Sequence, residues 1–415
     1  MEFNNVSFIF CFKSYPQAES YPQYPQILNK KRNLVKKNVL LIKERLKIWG
    51  IDNNMDIEVY RKLILDTVIN EYPTYLKKKL LTNLVSRGSV SLRKYTEEDQ
   101  KNNVLDLSPY PDIKIKLTVA IAQRDDVLKE VEYFELLKGY RYSCMFDYTG
   151  DIEASINSQL DSGRILKLNT NFENESISNT INKPVVYINE DKIVLKFNLH
   201  KTANSETGKY EMKYPVIVTF SLKYNVVEVR FDTLKTLYKN SSNYYEELIK
   251  EIKMWIQNYL KISIDNIDFK QVEKYIEKNK DDVIIYAQSL RTNSGSKIVL
   301  DINADEECIM PILGSLKNLI KENEDDFNKA PAIKILLDDF IDEIKETSDS
   351  EWFKLYWKQE SDSEGILISI YHVYHSENYS LIQYHNNLKD MEMMDYVTEY
   401  LSNCREEIGR RDEIN

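Results

Sequence analysis

The sequence predicts a mixed α+β protein: a basic, winged-helix-like helical module, then a body of antiparallel sheets covered by helices. Three observations carry this. Residues 1–95 hold 17 Lys/Arg against 8 Asp/Glu, whereas residues 96–415 hold 39 against 58. Apolar residues recur at helical spacing through much of the first ninety residues. From 184 onward, alternating strand patterns and helical patterns follow one another without regular βαβ order.

The chain of 415 residues, 42% hydrophobic and 29% charged, has material for two or three domains. Residues 4–12 read as a strand. Residues 14–26 hold three Tyr-Pro-Gln copies, at Tyr15, Tyr21 and Tyr24, where proline favours extended polyproline-like chain. The tract reads as a spacer, or as a peptide ligand for an aromatic groove. Helices follow at 28–49, 57–70 and 74–86, the first with Leu34, Val35, Leu41, Ile42, Leu46 and Trp49 on one side and Lys36 and Lys37 among the opposite cations. Gly88 then stops a helix, and Val90 and Leu92 alternate with Ser91 and Arg93. Three helices and a basic strand suggest a winged helix-turn-helix, with Lys36, Lys37, Lys77, Lys78, Lys79, Arg87, Arg93 and Lys94 facing phosphate.

Ser-Pro-Tyr-Pro at 108–111 marks a boundary, giving domains at 1–100, 112–280 and 281–415. Ile113, Ile115, Leu117 and Val119 alternate, which predicts a strand over 113–122. A helix over 125–138 and a strand over 140–147 come next. Strands are predicted at 185–188, 193–200, 214–224 and 226–231, with Glu228 and Arg230 on a solvated face opposite Val227 and Val229. Helices at 244–260 and 269–279 lead to a hairpin at 283–290 and 297–302. Helices near 306–322 and 331–346, strands at 351–359, 365–375 and 379–385, and a helix at 390–408 complete the chain. Residues 301–350 hold 14 acids and 5 bases, including Asp325, Asp326, Asp338, Asp339, Asp342 and Glu343, an acidic surface suited to docking a basic partner.

Several chemistries lack their motifs. Cys11, Cys144, Cys308 and Cys404 form no Cys-x-x-Cys pair, as expected for reduced thiols. The sequence has no phosphate-binding Gly-x4-Gly-Lys loop, dinucleotide fingerprint or Gly-x-Ser-x-Gly elbow, so no cofactor is expected. No apolar run is long enough to span a membrane and no signal-like n-region opens the chain, so the expected location is the cytoplasm, without membrane partners. His372, His375 and His385 lack a placed thiolate or carboxylate and make a poor metal site, with Tyr371, Tyr374, Tyr379 and Tyr384 forming an aromatic sheet surface around them.

The leading expectation is a non-catalytic nucleic-acid-binding or adaptor subunit. Nucleic acid would bind through residues 28–95 and a protein partner through the acidic body. Composition and missing motifs suit accessory proteins of mobile elements or phage-defence loci. The alternatives are a divergent metal-dependent nuclease using Asp161, Glu190 and Lys192, in which a carboxylate precedes Glu-x-Lys, and a purely structural subunit.

Overall fold

The computed structural model describes residues 56–93, 96–168, 176–205, 208–291, 297–301, 316, 319–357, 365–374, 379–385 and 390–412. The first strand, the Tyr-Pro-Gln tract and the helix expected at 28–49 lie outside the described residues.

A helical layer comes first. Helix α1 (Ile57–Asp66) runs on through a wider turn, Thr67–Glu71, and α2 (Thr74–Ser86) starts after Pro73. Gly88 ends α2 with positive φ, its N–H and that of Ser89 donating to the Val85 and Leu84 carbonyls. The strand after it, β1 (Val90–Ser91), pairs in parallel with β2 (Leu105–Asp106) across a short helix, α3 (Glu97–Lys101), rather than folding back as a hairpin.

Residues expected to form a strand at 113–122 are instead helix α4 (Ile113–Gln123). The alternation misleads because Leu117, Ala120 and Ile121 are the fully buried positions, a helical set, while Ile115 is exposed. The Asp112 carboxylate fixes the start, accepting from the N–H groups of Lys114 (2.7 Å) and Ile115 (3.3 Å). Helix α5 (Asp125–Leu137) follows. Tyr60, Leu63, Leu80 and Leu84 share one core with Leu117, Ile121, Leu128 and Val131, so this layer packs across the boundary expected at 100–112.

The body is one large sheet. Its strands are β3 (Tyr142–Thr149), β4 (Leu166–Lys167), β5 (Ile177–Ser178), β6 (Val185–Ile188), β7 (Lys192–Ser205), β8 (Gly208–Ser221), β9 (Val226–Phe231), β10 (Ser263–Asn266), β11 (Ile284–Arg291), β12 (Lys297–Asp301), β13 (Asp349–Trp357), β14 (Ile366–Tyr371) and β15 (Leu381–Tyr384). The order is β12-β11-β13-β14-β15-β3-β9-β8-β7-β6-β4, with β10 beside β3 and β5 beside β7. Most pairs are antiparallel, and the longest is the β7–β8 hairpin, in register from Lys192↔Ser221 to Ser205↔Gly208. The sheet passes unbroken through the boundary expected at 280/281, because Ile382 and Gln383 of β15 pair with Ser143 and Tyr142 of β3.

Around β3 and β7–β9 both faces are covered. Leu195, Phe197, Val216 and Val218 look toward α7 (Tyr244–Trp255), with Leu248, Ile252 and Trp255 in the same core; α6 (Ile152–Asp161) adds Ile152 and Ile156. The other face, carrying Met145, Val194 and Ile217, shares a core with α8 (Phe269–Asn279) and the C-terminal α11 (Met391–Asp412), through Val272, Met394 and Leu401. The solvated face expected for 226–231 is therefore covered: Glu228 and Arg230 are fully buried. Helices α9 (Glu324–Asn328) and α10 (Pro331–Thr347) lie between β12 and β13 in the chain. Among the described residues no helix is long and apolar enough to cross a membrane.

Candidate functional site

Lys77, Lys78 and Lys79 are consecutive on α2, and successive residues on a helix do not share a face. Lys77 turns inward beside Leu76 and Leu80 and is only 5% exposed; burial, then nearby Lys114, pulls its pKa below the usual lysine value. Lys78 is exposed. Lys79 is half-buried, with Nζ 3.9 Å from Asp390. Arg87 places Nε 2.9 Å from Glu130, its guanidinium 4.5 Å from the Tyr133 ring centroid. Arg93 is exposed, 3.9 Å from Asp99. Lys36, Lys37 and Lys94 lie outside the described residues. The described cations thus include one buried lysine and three that meet acids, rather than one open basic face.

The residues of the nuclease alternative fall at the end of α6, in a turn and at the start of β7. Asp161 is exposed at the end of α6, and Glu190 is exposed in the turn between β6 and β7. Lys192 donates to Asp395 on α11. Among the described residues, no group of three or more His, Cys, Asp or Glu is placed to hold a metal ion. His375 lies outside the described residues, and the other two histidines of its group separate. His372 Nε2 lies 2.8 Å from Glu273 Oε2 and its ring stacks on Phe353, whereas His385 Nε2 lies 2.8 Å from Ser369 Oγ. The β14–β15 register sets Tyr371 opposite Leu381, and His385 N–H donates to the Leu367 carbonyl, which puts the two histidines at opposite ends of the hairpin rather than side by side.

What sequence reasoning missed is ionic and internal. Lys196 of β7 and Lys213 of β8, both completely buried, meet Glu132 and Glu135 of α5. Lys213 Nζ is 2.6 Å from Glu135 and also pairs with Glu132, while Lys196 Nζ donates to the Glu132 carbonyl at 2.9 Å. Tyr60 donates to Glu132, and Tyr72 donates to Glu135 at 3.0 Å. Two positive and two negative charges close a balanced box, the arrangement buried ions need. A second set lies further along the same face: Arg230 holds Glu228 (2.5 Å) and Asp395 (2.9 Å), and Thr398 donates to Glu228 at 2.7 Å. Despite its burial, Arg230 and Lys192 hold the Asp395 carboxyl below its usual pKa. Both sets join helices to the sheet. The alternating charges were visible in the sequence; their cover was not.

Two surface features remain. A cleft of about 300 Å³ opens where β15 joins β3, lined by Tyr142, Phe231, Tyr245, Tyr371, Val373, Tyr374, Leu381 and Gln383. Burial pushes the Tyr374 hydroxyl up to about 12, so it keeps its proton at neutral pH. The aromatic surface expected around the histidines is thus partly found: Tyr371 and Tyr374 reach the cleft, but Tyr379 and Tyr384 are buried. The second feature is α10. Ile333, Leu336 and Phe340 are 57%, 70% and 49% exposed at positions i, i+3 and i+7, while Ile341 is fully buried. Asp325, Asp326 and Asp339 are exposed and Asp338 half-exposed; the side chains of Asp342 and Glu343 lie outside the described residues.

No family model matches the chain, and neither a curated protein nor a solved structure matches it.

Proposed function

We propose that the chain is an adaptor that docks a basic, amphipathic helix of a partner protein along α10. The apolar stripe Ile333, Leu336 and Phe340 carries this reading. One face of a helix presenting anchors at i, i+3 and i+7 is the pattern by which helices pair in protein recognition. Large exposed apolar stripes are uncommon on surfaces that meet only water. The charge of this stretch of sequence selects the partner: residues 301–350 hold 14 acids and 5 bases, and Lys329 and Lys334 are already engaged with Asp326 and Glu324. A basic helix would gain attraction there, and an acidic one would be repelled. Duplex binding is the lesser reading, because among the described cations of the expected set Lys77 is buried and Lys79, Arg87 and Arg93 each lie beside an acid.

The test combines hydrogen exchange with titration by a synthetic amphipathic helix of leucine and lysine. Amides of α10 should exchange quickly in the free chain and become protected when the peptide binds. Binding should weaken with added salt, and Leu336→Asp should reduce it roughly tenfold or more, as for loss of an anchor residue. Protection of α10 in the free chain at every concentration would mean that the chain covers this face itself. Protection rising with chain concentration would assign the face to a second copy. Either result overturns the proposal.

A further inference from the structure

We propose that the tyrosine cleft between β14, β15, β3 and α7 is a binding site for an extended, proline-bearing peptide. Its floor is a triangle of rings: Tyr142 and Phe231 stack at 5.7 Å between centroids, Phe231 and Tyr245 at 5.3 Å, and Tyr142 and Tyr245 tilt together at 5.9 Å. Tyr371, Val373, Tyr374 and Gln383 form its more exposed part and the buried Leu381 completes the lining, which holds no charged side chain. A strongly charged ligand would find no counter-ion in that lining. A volume near the lower end for small-ligand pockets suits one or two residues rather than a large cofactor.

Proline answers these walls point by point. Its ring is apolar and packs on aromatic faces, and it has no N–H that the lining would leave without an acceptor. Its carbonyl needs a donor. Tyr371 supplies the orientation for one: its hydroxyl donates to Gln383 Oε1 at 3.0 Å, which turns the Gln383 Nε2 hydrogens into the donor side of the amide. Extended polyproline-like peptide is already ordered when free, so little entropy is lost on docking. A second observation names the ligand class. The chain itself carries Tyr-Pro-Gln three times, at 15–17, 21–23 and 24–26, a segment outside the described residues.

The receiver in the test is the full chain with Pro16, Pro22 and Pro25 each changed to alanine, so that the added peptide is the single source of the Tyr-Pro-Gln segment. A synthetic peptide of residues 14–26 is titrated into it by calorimetry. Saturable binding is expected, and the same peptide with its three prolines replaced by alanine should bind roughly tenfold more weakly, the loss expected of an anchor contact. In the receiver, Val373→Glu on the exposed rim should weaken binding by a similar factor with Tm unchanged, and Gln383→Ala should weaken it too. Absence of saturation up to about 1 mM peptide, or equal binding of the proline-free peptide, overturns the proposal. So does displacement of the peptide by choline, which would assign the rings to a quaternary ammonium.

Discussion

Lys213 has no solvent-exposed surface and answers two carboxylates, Glu132 and Glu135. Removing it leaves two buried acids facing Lys196 alone. Breaking a buried ion pair from one side typically costs about 3–5 kcal/mol, so Lys213→Met should lower unfolding stability by that order in urea denaturation. Adding Glu135→Gln restores charge balance and should recover part of the loss. A single variant costing under about 1 kcal/mol would show the charge to be solvated. The same residue illustrates what sequence reading reaches at this scale. Lys196 and Lys213 stand in strands of ordinary alternation, where a charged residue reads as facing water. Nothing near them in the chain announces Glu132, more than sixty positions earlier. Lys77 misleads in the same way: three adjacent lysines look like one basic patch, but helix geometry points them in different directions.

At the scale of elements, most of the chain was legible. Helix α8 falls at 269–279 as expected, and α2 at 74–86, because amphipathic spacing and clear end signals agree there. Helix α4 was not, since its apolar residues satisfy both periods and only burial separates them. The deciding local feature is the cap. Asp112→Ala should cost about 1 kcal/mol, the usual worth of a side-chain cap, read as a shift in the urea midpoint. An unchanged midpoint would mean that packing of Leu117 and Ile121 alone sets the start of α4. The β14–β15 hairpin gives the opposite lesson. Both strands were visible, but their register, and with it the separation of His372 from His385, depends on pairing that composition does not encode.

At the scale of the whole molecule, the sheet joins segments that composition divides. Strand β15 pairs with β3 across more than two hundred residues, and α11 lays Met394 and Leu401 on strands from both sides of 280/281. A shared sheet and core should unfold together. Single-tryptophan variants retaining either Trp255, in the core under α7, or Trp357, in the core under α11, should report coincident urea midpoints. Two separate midpoints would show that the halves fold independently despite the continuous hydrogen bonding. The two proposed binding surfaces belong to this scale as well, since the cleft draws on β3, β9, β14, β15 and α7, which no linear motif could bring together.

By itself, the sequence determined the α+β class, most of the longer strands and helices, and the apolar side of strands such as 226–231, because these depend on neighbours two to four residues away. Only the tertiary structure decided what covers the other side. Helices α5 and α11 bury that polar face, and burial converts alternating charges from a solvated surface into closed ion pairs, since an unpaired charge removed from water costs far more than a fold can absorb. The same assembly buried Lys77, set Lys79, Arg87 and Arg93 beside acids, and gathered five aromatic rings around one cleft.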